Sequence, residues 1–322
     1  MNDYLRSVIL GIVEGLTEFL PVSSTAHIRV AQDVLGIRMD DPYWKTYAIV
    51  IQLGAILSVL VYFRRRLIGF IRTWPRGAEG DRTIFTHPLS LVMIAFVVTA
   101  GPCYLMDKKI GANLESMYVI GWSLLVGGAA MWAIDSWAGK RERMARADAD
   151  GPPLETLATD PSVTTAPADF EKVPPHASRR GGLTWRLEDV GLLQAIFIGA
   201  AQILAATFPG TSRSMSTIAA GQIMKLSRPA ALEFSFFLSI PVMFAATGYK
   251  LLGTMLDARK GTLGYTMDAH RWGVLAVGMV VSFIVALAVI HWFMQWVRSR
   301  GFAPFAIYRI IAGCAVLLFA NR

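Results

Sequence analysis

Cysteine and charge are both scarce in this chain. Its 322 residues include two cysteines, Cys103 and Cys314, and both sit inside apolar blocks, so neither a disulfide framework nor a cysteine metal site is expected. Charged residues make up 17% of the chain against 54% apolar, with a mean hydropathy of +0.46. The apolar residues run in long blocks instead of recurring at amphipathic spacing, the pattern of a polytopic helical membrane protein. A net charge of +8 could suggest nucleic acid, but the basic residues cluster in loops between apolar spans, which argues against that partner. The N-terminal block also lacks the clean apolar core of a signal peptide, because Glu14, Glu18 and Pro21 interrupt it; it is expected to remain in the mature protein.

Windows of about twenty residues predict six spans, at 45–63, 89–106, 117–138, 230–252, 272–297 and 303–320. Two further apolar blocks, 4–36 and 189–226, each hold a central proline and a Ser/Thr cluster. They read as re-entrant hairpins, since irregular backbone survives at membrane depth only where protein or a wet cavity satisfies it. Superposing the blocks at an offset of 188 pairs Gly11 with Gly199, Glu14 with Gln202, Leu16 with Leu204, Pro21 with Pro209 and Ser24 with Ser212. Each hairpin is followed by three spans, and an odd number reverses direction, which predicts an inverted repeat. The first repeat is then 1–138, the second 189–322, and 139–188, with six prolines, is a disordered cytoplasmic linker. Charge sets the orientation: eighteen Lys/Arg fall in the loops on the linker side against nine on the other, so the linker side is cytoplasmic and the first hairpin opens outward.

The chemistry sits in "EGLTEFLPVSSTAH", residues 14–27. Glu14 and Glu18 are four apart and share a helix face, and carboxylates in a membrane segment imply a polar site. Ser23, Ser24 and Thr25 follow the proline where a half-helix begins, so they can cap it or join its N–H groups in binding an anion. His27 beside them is suited to nucleophilic or acid–base work. The second hairpin adds "PGTSRSMS", in which Arg213 is the one cation and best suits an oxyanion such as phosphate, with Ser212 and Ser214 as further donors. Gln52 could face the same cavity or pack between helices. Asp135 and Arg309 both fall toward the cytoplasmic ends of their spans and read as a structural pair. The set can bind and hydrolyse a phosphorylated group, with Glu14 and Glu18 either holding a divalent cation or handling protons.

The motifs "EGLTEFLPVSSTAH", "VIQLGAI", "PGTSRS", "EFSFFLSIP" and "PFAIYRI" resemble the bacitracin-resistance type of undecaprenyl-diphosphate phosphatase, in the right order through both halves. The resemblance implies a multi-pass enzyme of the bacterial inner membrane. It would convert undecaprenyl diphosphate to undecaprenyl phosphate, recycling the lipid carrier of peptidoglycan synthesis. It also implies an outward-facing site and a divalent cation, magnesium or calcium; a homodimer is compatible with it. By position, Glu14 and Glu18 match the family's acidic motif, Ser24 and His27 its catalytic hydroxyl and imidazole, and Arg213 its phosphate-binding arginine. The departures are Ala26 and Met215, where the family usually has glycine, and a longer linker. Either His27 or Ser24, with His27 as base, could attack phosphorus. The rival reading is a polyprenyl-phosphate flippase using the same cavity, for which inverted repeats are also typical. A cation-coupled carrier would leave Arg213 and the hydroxyls without a role.

Overall fold

The computed structural model describes residues 1–38, 40–106, 116–147, 182–259 and 265–320, and among these all regular structure is helical apart from one isolated bridge. Twelve α-helices follow in chain order: α1 (Asp3–Thr17), α2 (Ser24–Val34), α3 (Pro42–Val50), α4 (Gln52–Tyr62), α5 (Arg64–Thr73), α6 (Pro88–Leu105), α7 (Met117–Ala147), α8 (Leu192–Thr207), α9 (Arg213–Ile223), α10 (Arg228–Arg259), α11 (Ala269–Arg300) and α12 (Ala303–Ala320). Local chemistry sets many of the starts. Asn2, Asp41 and Asp268 cap α1, α3 and α11 with side-chain oxygens, and proline occupies the first turn of α3 and α6, where its missing N–H costs nothing.

Five stretches are long and apolar enough to cross a membrane: Pro42–Tyr62, Pro88–Leu105, Met117–Ala145, Arg228–Asp257 and Ala269–Arg300. The sixth expected span, 303–320, is present as the shorter apolar helix α12. The predicted hairpins are both helix–break–helix units, α1–α2 and α8–α9, broken at the expected prolines.

Packing exchanges elements between the two halves. Helix α1 lies along α11 while α8 lies along α6, and α4 meets α11 while α10 meets α6. Glycines permit these approaches: a Cβ on Gly11 would lie 2.8 Å from the Gly278 carbonyl, and one on Gly199 2.4 Å from the Ala95 carbonyl. The buried core gathers Phe19, from the first break, with Phe63, Phe234, Phe236, Phe293 and Phe302.

The linker departs from expectation at both ends, while 148–181 lie outside the described residues. Residues 139–147 continue α7 as helix, which the wide spacing of its apolar residues conceals. Residues 182–190 dock on the protein: Thr184 bridges Leu226, and Glu188 accepts from Arg66 at 2.5 Å. Burial pushes the Glu188 carboxyl up, but the Arg66 guanidinium outweighs it and leaves the group below the ordinary carboxylate range. The same Arg66 pairs with the buried Glu233. Asp135 does not pair with Arg309. It accepts from Arg228 Nε at 2.8 Å, Gln222 at 2.9 Å and the Phe302 N–H at 3.0 Å, tying α7 to the junctions on either side of α10 and α11.

Candidate active site

Glu14 and Glu18 project from the last turn of α1 into the protein. Glu14 is fully buried, and neither carboxylate oxygen has a hydrogen-bond partner among the described residues. Gln202, its counterpart at the 188 offset, is likewise buried with both amide atoms unpartnered. Glu18 is engaged on both sides: one oxygen accepts a very short hydrogen bond from the Ser24 hydroxyl, and the other takes Arg213 at 3.3 Å. The two breaks are therefore in direct contact, reinforced by Ser214, whose hydroxyl donates to the Leu20 carbonyl at 3.0 Å.

Both half-helices start from a strained cap. Ser23 and Ser212 each have φ of 75°, the left-handed region that a residue with a Cβ adopts at a cost of roughly 1 kcal/mol or more. Their hydroxyls accept from the N–H three residues on, that of Ala26 at 3.5 Å and that of Met215 at 3.3 Å. These matched caps correct the sequence register. Ser23, not Ser24, corresponds to Ser212, because the chain from Pro209 to its cap is one residue longer than that from Pro21. Ala26 and Met215 consequently occupy the same turn of the two half-helices. Ala26 packs with Ile120, Leu124 and Val316, and Met215 fits beside Gly127, where a Cβ would lie 2.9 Å from its terminal carbon.

His27 faces elsewhere. Its Nδ1 lies 2.7 Å from the Ser23 carbonyl, so that nitrogen holds the proton and donates, leaving Nε2 to accept from the Tyr308 hydroxyl at 2.6 Å. The rings stack at 5.6 Å and 16°. Neither ring nitrogen touches Ser24, whose proton is directed to Glu18 instead. Ser212 and Ser214 bond each other at 3.0 Å. Thr25 is exposed on the first turn of α2, and Gln52 is half-buried where α3 meets α4; neither bonds a site group among the described residues.

Two contributors are not assigned to the site by sequence. Tyr308 partners His27, and the next residue, Arg309, is fully buried between the breaks. Its guanidinium donates to the carbonyls of Pro21 at 3.2 Å, Gly210 at 3.0 Å and Ser123 at 3.1 Å. The only signal is a cation inside an apolar helix in "PFAIYRI", and Asp135, at the corresponding end of another span, draws attention away from backbone acceptors.

Chemically, the arrangement offers a hydroxyl already bonded to a carboxylate, an imidazole with a fixed tautomer, a guanidinium within reach of the same carboxylate, and two opposed half-helix N-termini. No cluster of three or more His, Cys, Asp or Glu suited to a metal occurs among the described residues. Glu14 is the site carboxylate with unclaimed oxygens, so it would be the residue to hold a cation there.

The family model described as bacitracin resistance protein BacA matches residues 7–315. The chain is 49% identical over 325 residues to an undecaprenyl-diphosphatase of Koribacter versatilis (strain Ellin345), covering 100% of both chains. It is 37% identical to an undecaprenyl-diphosphatase of Rhizobium etli (strain CFN 42), over 98% of this chain and 96% of that one. An undecaprenyl-diphosphatase of Xanthomonas oryzae pv. oryzae (strain PXO99A) is 35% identical over 99% and 98%.

Proposed function

Since the chain belongs to the bacitracin resistance protein BacA family, we propose that it is a membrane phosphatase that hydrolyses undecaprenyl diphosphate to undecaprenyl phosphate and inorganic phosphate. The observation that carries the reading is the contact between the two breaks, where Glu18 joins Ser24 of one hairpin to Arg213 of the other. A flippase needs the phosphate-binding half of this arrangement but has no use for a hydroxyl poised on a base.

The architecture we infer is six spans with two re-entrant hairpins in an inverted repeat, the domains being 1–138 and 189–322. It is supported by the exchanged packing of α1 on α11 and α8 on α6, and by the twin strained caps. At 18 residues, α12 is about 27 Å long, close to the roughly 30 Å hydrocarbon core. The charge bias orients the protein in the inner membrane with the linker inside and the site open to the periplasm.

The lipid tail stays in the bilayer while the diphosphate enters between the breaks. Arg213 leaves Glu18 in part to bind the terminal phosphate, joined by first-turn N–H groups of α2 and α9 and the hydroxyls of Ser23, Thr25, Ser212 and Ser214. Ser24 then has one route to attack: its Oγ bonds to phosphorus, the bridging P–O bond breaks toward undecaprenyl phosphate, and the proton passes to Glu18. Water cleaves the phosphoserine in a second step. His27 offers the other route, attacking through Nε2 once the Tyr308 hydroxyl moves aside. Acid-stable phosphoenzyme would mark the first and acid-labile phosphoenzyme the second. A divalent cation, magnesium or calcium, would be held by Glu14 with Glu18, and would supply charge that draws in the diphosphate and polarises its oxygens.

The decisive assay is phosphate release by the purified protein from undecaprenyl diphosphate. Chelator is expected to abolish release and added cation to restore it; labelled lipid that crosses the bilayer with no phosphate released would reverse the reading in favour of the flippase. Arg213→Ala is expected mainly to raise KM, and His27→Ala to lower kcat with little change in KM. Tyr308→Phe keeps the stacked ring but removes the hydroxyl that occupies Nε2, so kcat is expected to rise if attack runs through His27 and to stay unchanged if it runs through Ser24. Unchanged turnover in that variant would remove Tyr308 from the reaction.

A further inference from the structure

Segment 64–98 forms a lobe that the phosphatase reaction does not use. Arg66 and Leu67 of α5 face inward, and Phe70 is buried. The opposite face carries Ile68 and Ile71, exposed at 46% and 58%, flanked by exposed Arg64, Arg65 and Arg72. Such a helix lies in the plane of a membrane interface, apolar side chains toward the acyl region and cations among the headgroups. Trp74 follows directly, pinned onto α6 by a 2.9 Å hydrogen bond from its Nε1 to the Ser90 hydroxyl, which suits the indole's preference for the interface.

Beside Trp74 opens an apolar groove of about 580 Å³, walled by Ile84 and Phe85 of the loop and running down α6 past Met93 to Val98. Its volume falls in the range of small-ligand sites, roughly 300–1,000 Å³. From Leu89 to Val98 it follows α6 for ten residues, or about 14 Å, close to half of the roughly 30 Å hydrocarbon core. A groove one leaflet deep, starting at an interfacial tryptophan, has the dimensions of an acyl chain. Exposed positive charge lies close to it in sequence. Arg72 and Arg76 bracket Trp74 in sequence, and no carboxylate pairs with either of them, or with Arg64 or Arg65, among the described residues. The local acidic residues, Glu79 and Asp81, are outnumbered two to one by these exposed arginines.

We propose that this lobe is a binding site for an anionic phospholipid, with one acyl chain in the groove beside Trp74 and the headgroup phosphate on Arg72 and Arg76. A neutral phospholipid would fill the groove but leave the arginines uncompensated. A polyprenyl phosphate meets the charge but carries a tail far longer than one leaflet. The charge bias that sets this face in the cytoplasm makes the inner leaflet, where anionic lipid meets basic juxtamembrane residues, the source.

The test uses the full-length protein in phosphatidylcholine bilayers with trace spin-labelled phosphatidylglycerol or phosphatidylcholine, reading the motion-restricted fraction of each. Wild type is expected to favour phosphatidylglycerol about twenty-five-fold, since the two interfacial arginines contribute about fivefold each and the factors multiply. The double variant R72Q/R76Q is expected to bring the ratio close to one. Met93→Trp, which fills the groove from a lipid-facing position, is expected to reduce restricted lipid of both kinds with the arginines intact. Equal affinities in wild type would overturn the site, as would a preference that survives R72Q/R76Q. So would displacement of the labelled phosphatidylglycerol by equimolar undecaprenyl phosphate. None of these readings depends on phosphate release, so the site and the phosphatase activity stand or fall separately.

Discussion

Arg309→Met is expected to abolish phosphate release and to unfold at a markedly lower temperature than the wild type. The guanidinium is wholly buried, pairs with no carboxylate among the described residues, and spends its donors on three backbone carbonyls. Two of those, Pro21 and Gly210, belong to the breaks themselves, where no helical N–H reaches them. Methionine relieves the cost of burying a cation, which favours the variant. It also strands the Pro21 and Gly210 acceptors, each worth roughly 1–3 kcal/mol when left unpaired, and that penalty outweighs the relief. The net expectation is a loss of about 2–4 kcal/mol, together with separation of the breaks that must touch for Glu18 to meet Arg213. Arg309→Lys carries a compact ammonium that cannot span three carbonyls in a planar fork, so it should be intermediate in both measures. Thermal unfolding in detergent alongside the phosphate assay decides the matter. A methionine variant that is as stable and as active as wild type would show that the breaks do not need this clamp.

Arg309 also marks the boundary between what a sequence reveals of this molecule and what it conceals. The spans are legible because lipid imposes one requirement on every residue of a crossing helix, and composition alone records it. The expected 89–106 and 117–138 differ from α6 and α7 mainly in where α7 stops. The helix breaks are legible because a proline followed by hydroxyls interrupts an apolar helix and leaves backbone groups that protein or water must satisfy. Partners are less accessible. The carboxylate at the corresponding end of another span, Asp135, is the natural match for Arg309 in sequence, but it is taken by Arg228, and backbone acceptors leave no mark in a sequence. The register between the hairpins slips by one residue for a related reason. Identity at Pro21 and Pro209 anchors the alignment, whereas the caps are aligned by the left-handed turns at Ser23 and Ser212. Tyr308 is hidden because a tyrosine in an apolar helix ordinarily serves packing alone. The site residues that the sequence does expose share one property, a polar group whose burial would be unfavourable without a task.

Glu18→Gln should reduce kcat by about a thousandfold while leaving the fold intact, the size expected when a positioned base is lost. The substitution keeps volume and removes charge, so what it tests is the pair of bonds Glu18 makes. As a carboxylate it accepts from Ser24 on one oxygen and from Arg213 on the other. An amide offers one acceptor and one donor group; whichever way it turns, either the hydroxyl or the guanidinium meets N–H instead of oxygen. If the oxygen stays on Ser24, the serine keeps its hydrogen bond but has no base to take its proton, and Arg213 is released from its tether. Binding of the diphosphate should then survive, because the freed arginine can still reach phosphate, and the loss should fall on kcat. Glu14→Gln separates the neighbouring role. Glu14 makes no hydrogen bond among the described residues, so its removal should raise the cation concentration needed for half-maximal activity at least tenfold, with turnover at saturating cation less affected than in Glu18→Gln. Should Glu18→Gln keep more than a tenth of wild-type kcat, Ser24 would lose its base and attack through His27 Nε2 would become the route the geometry favours.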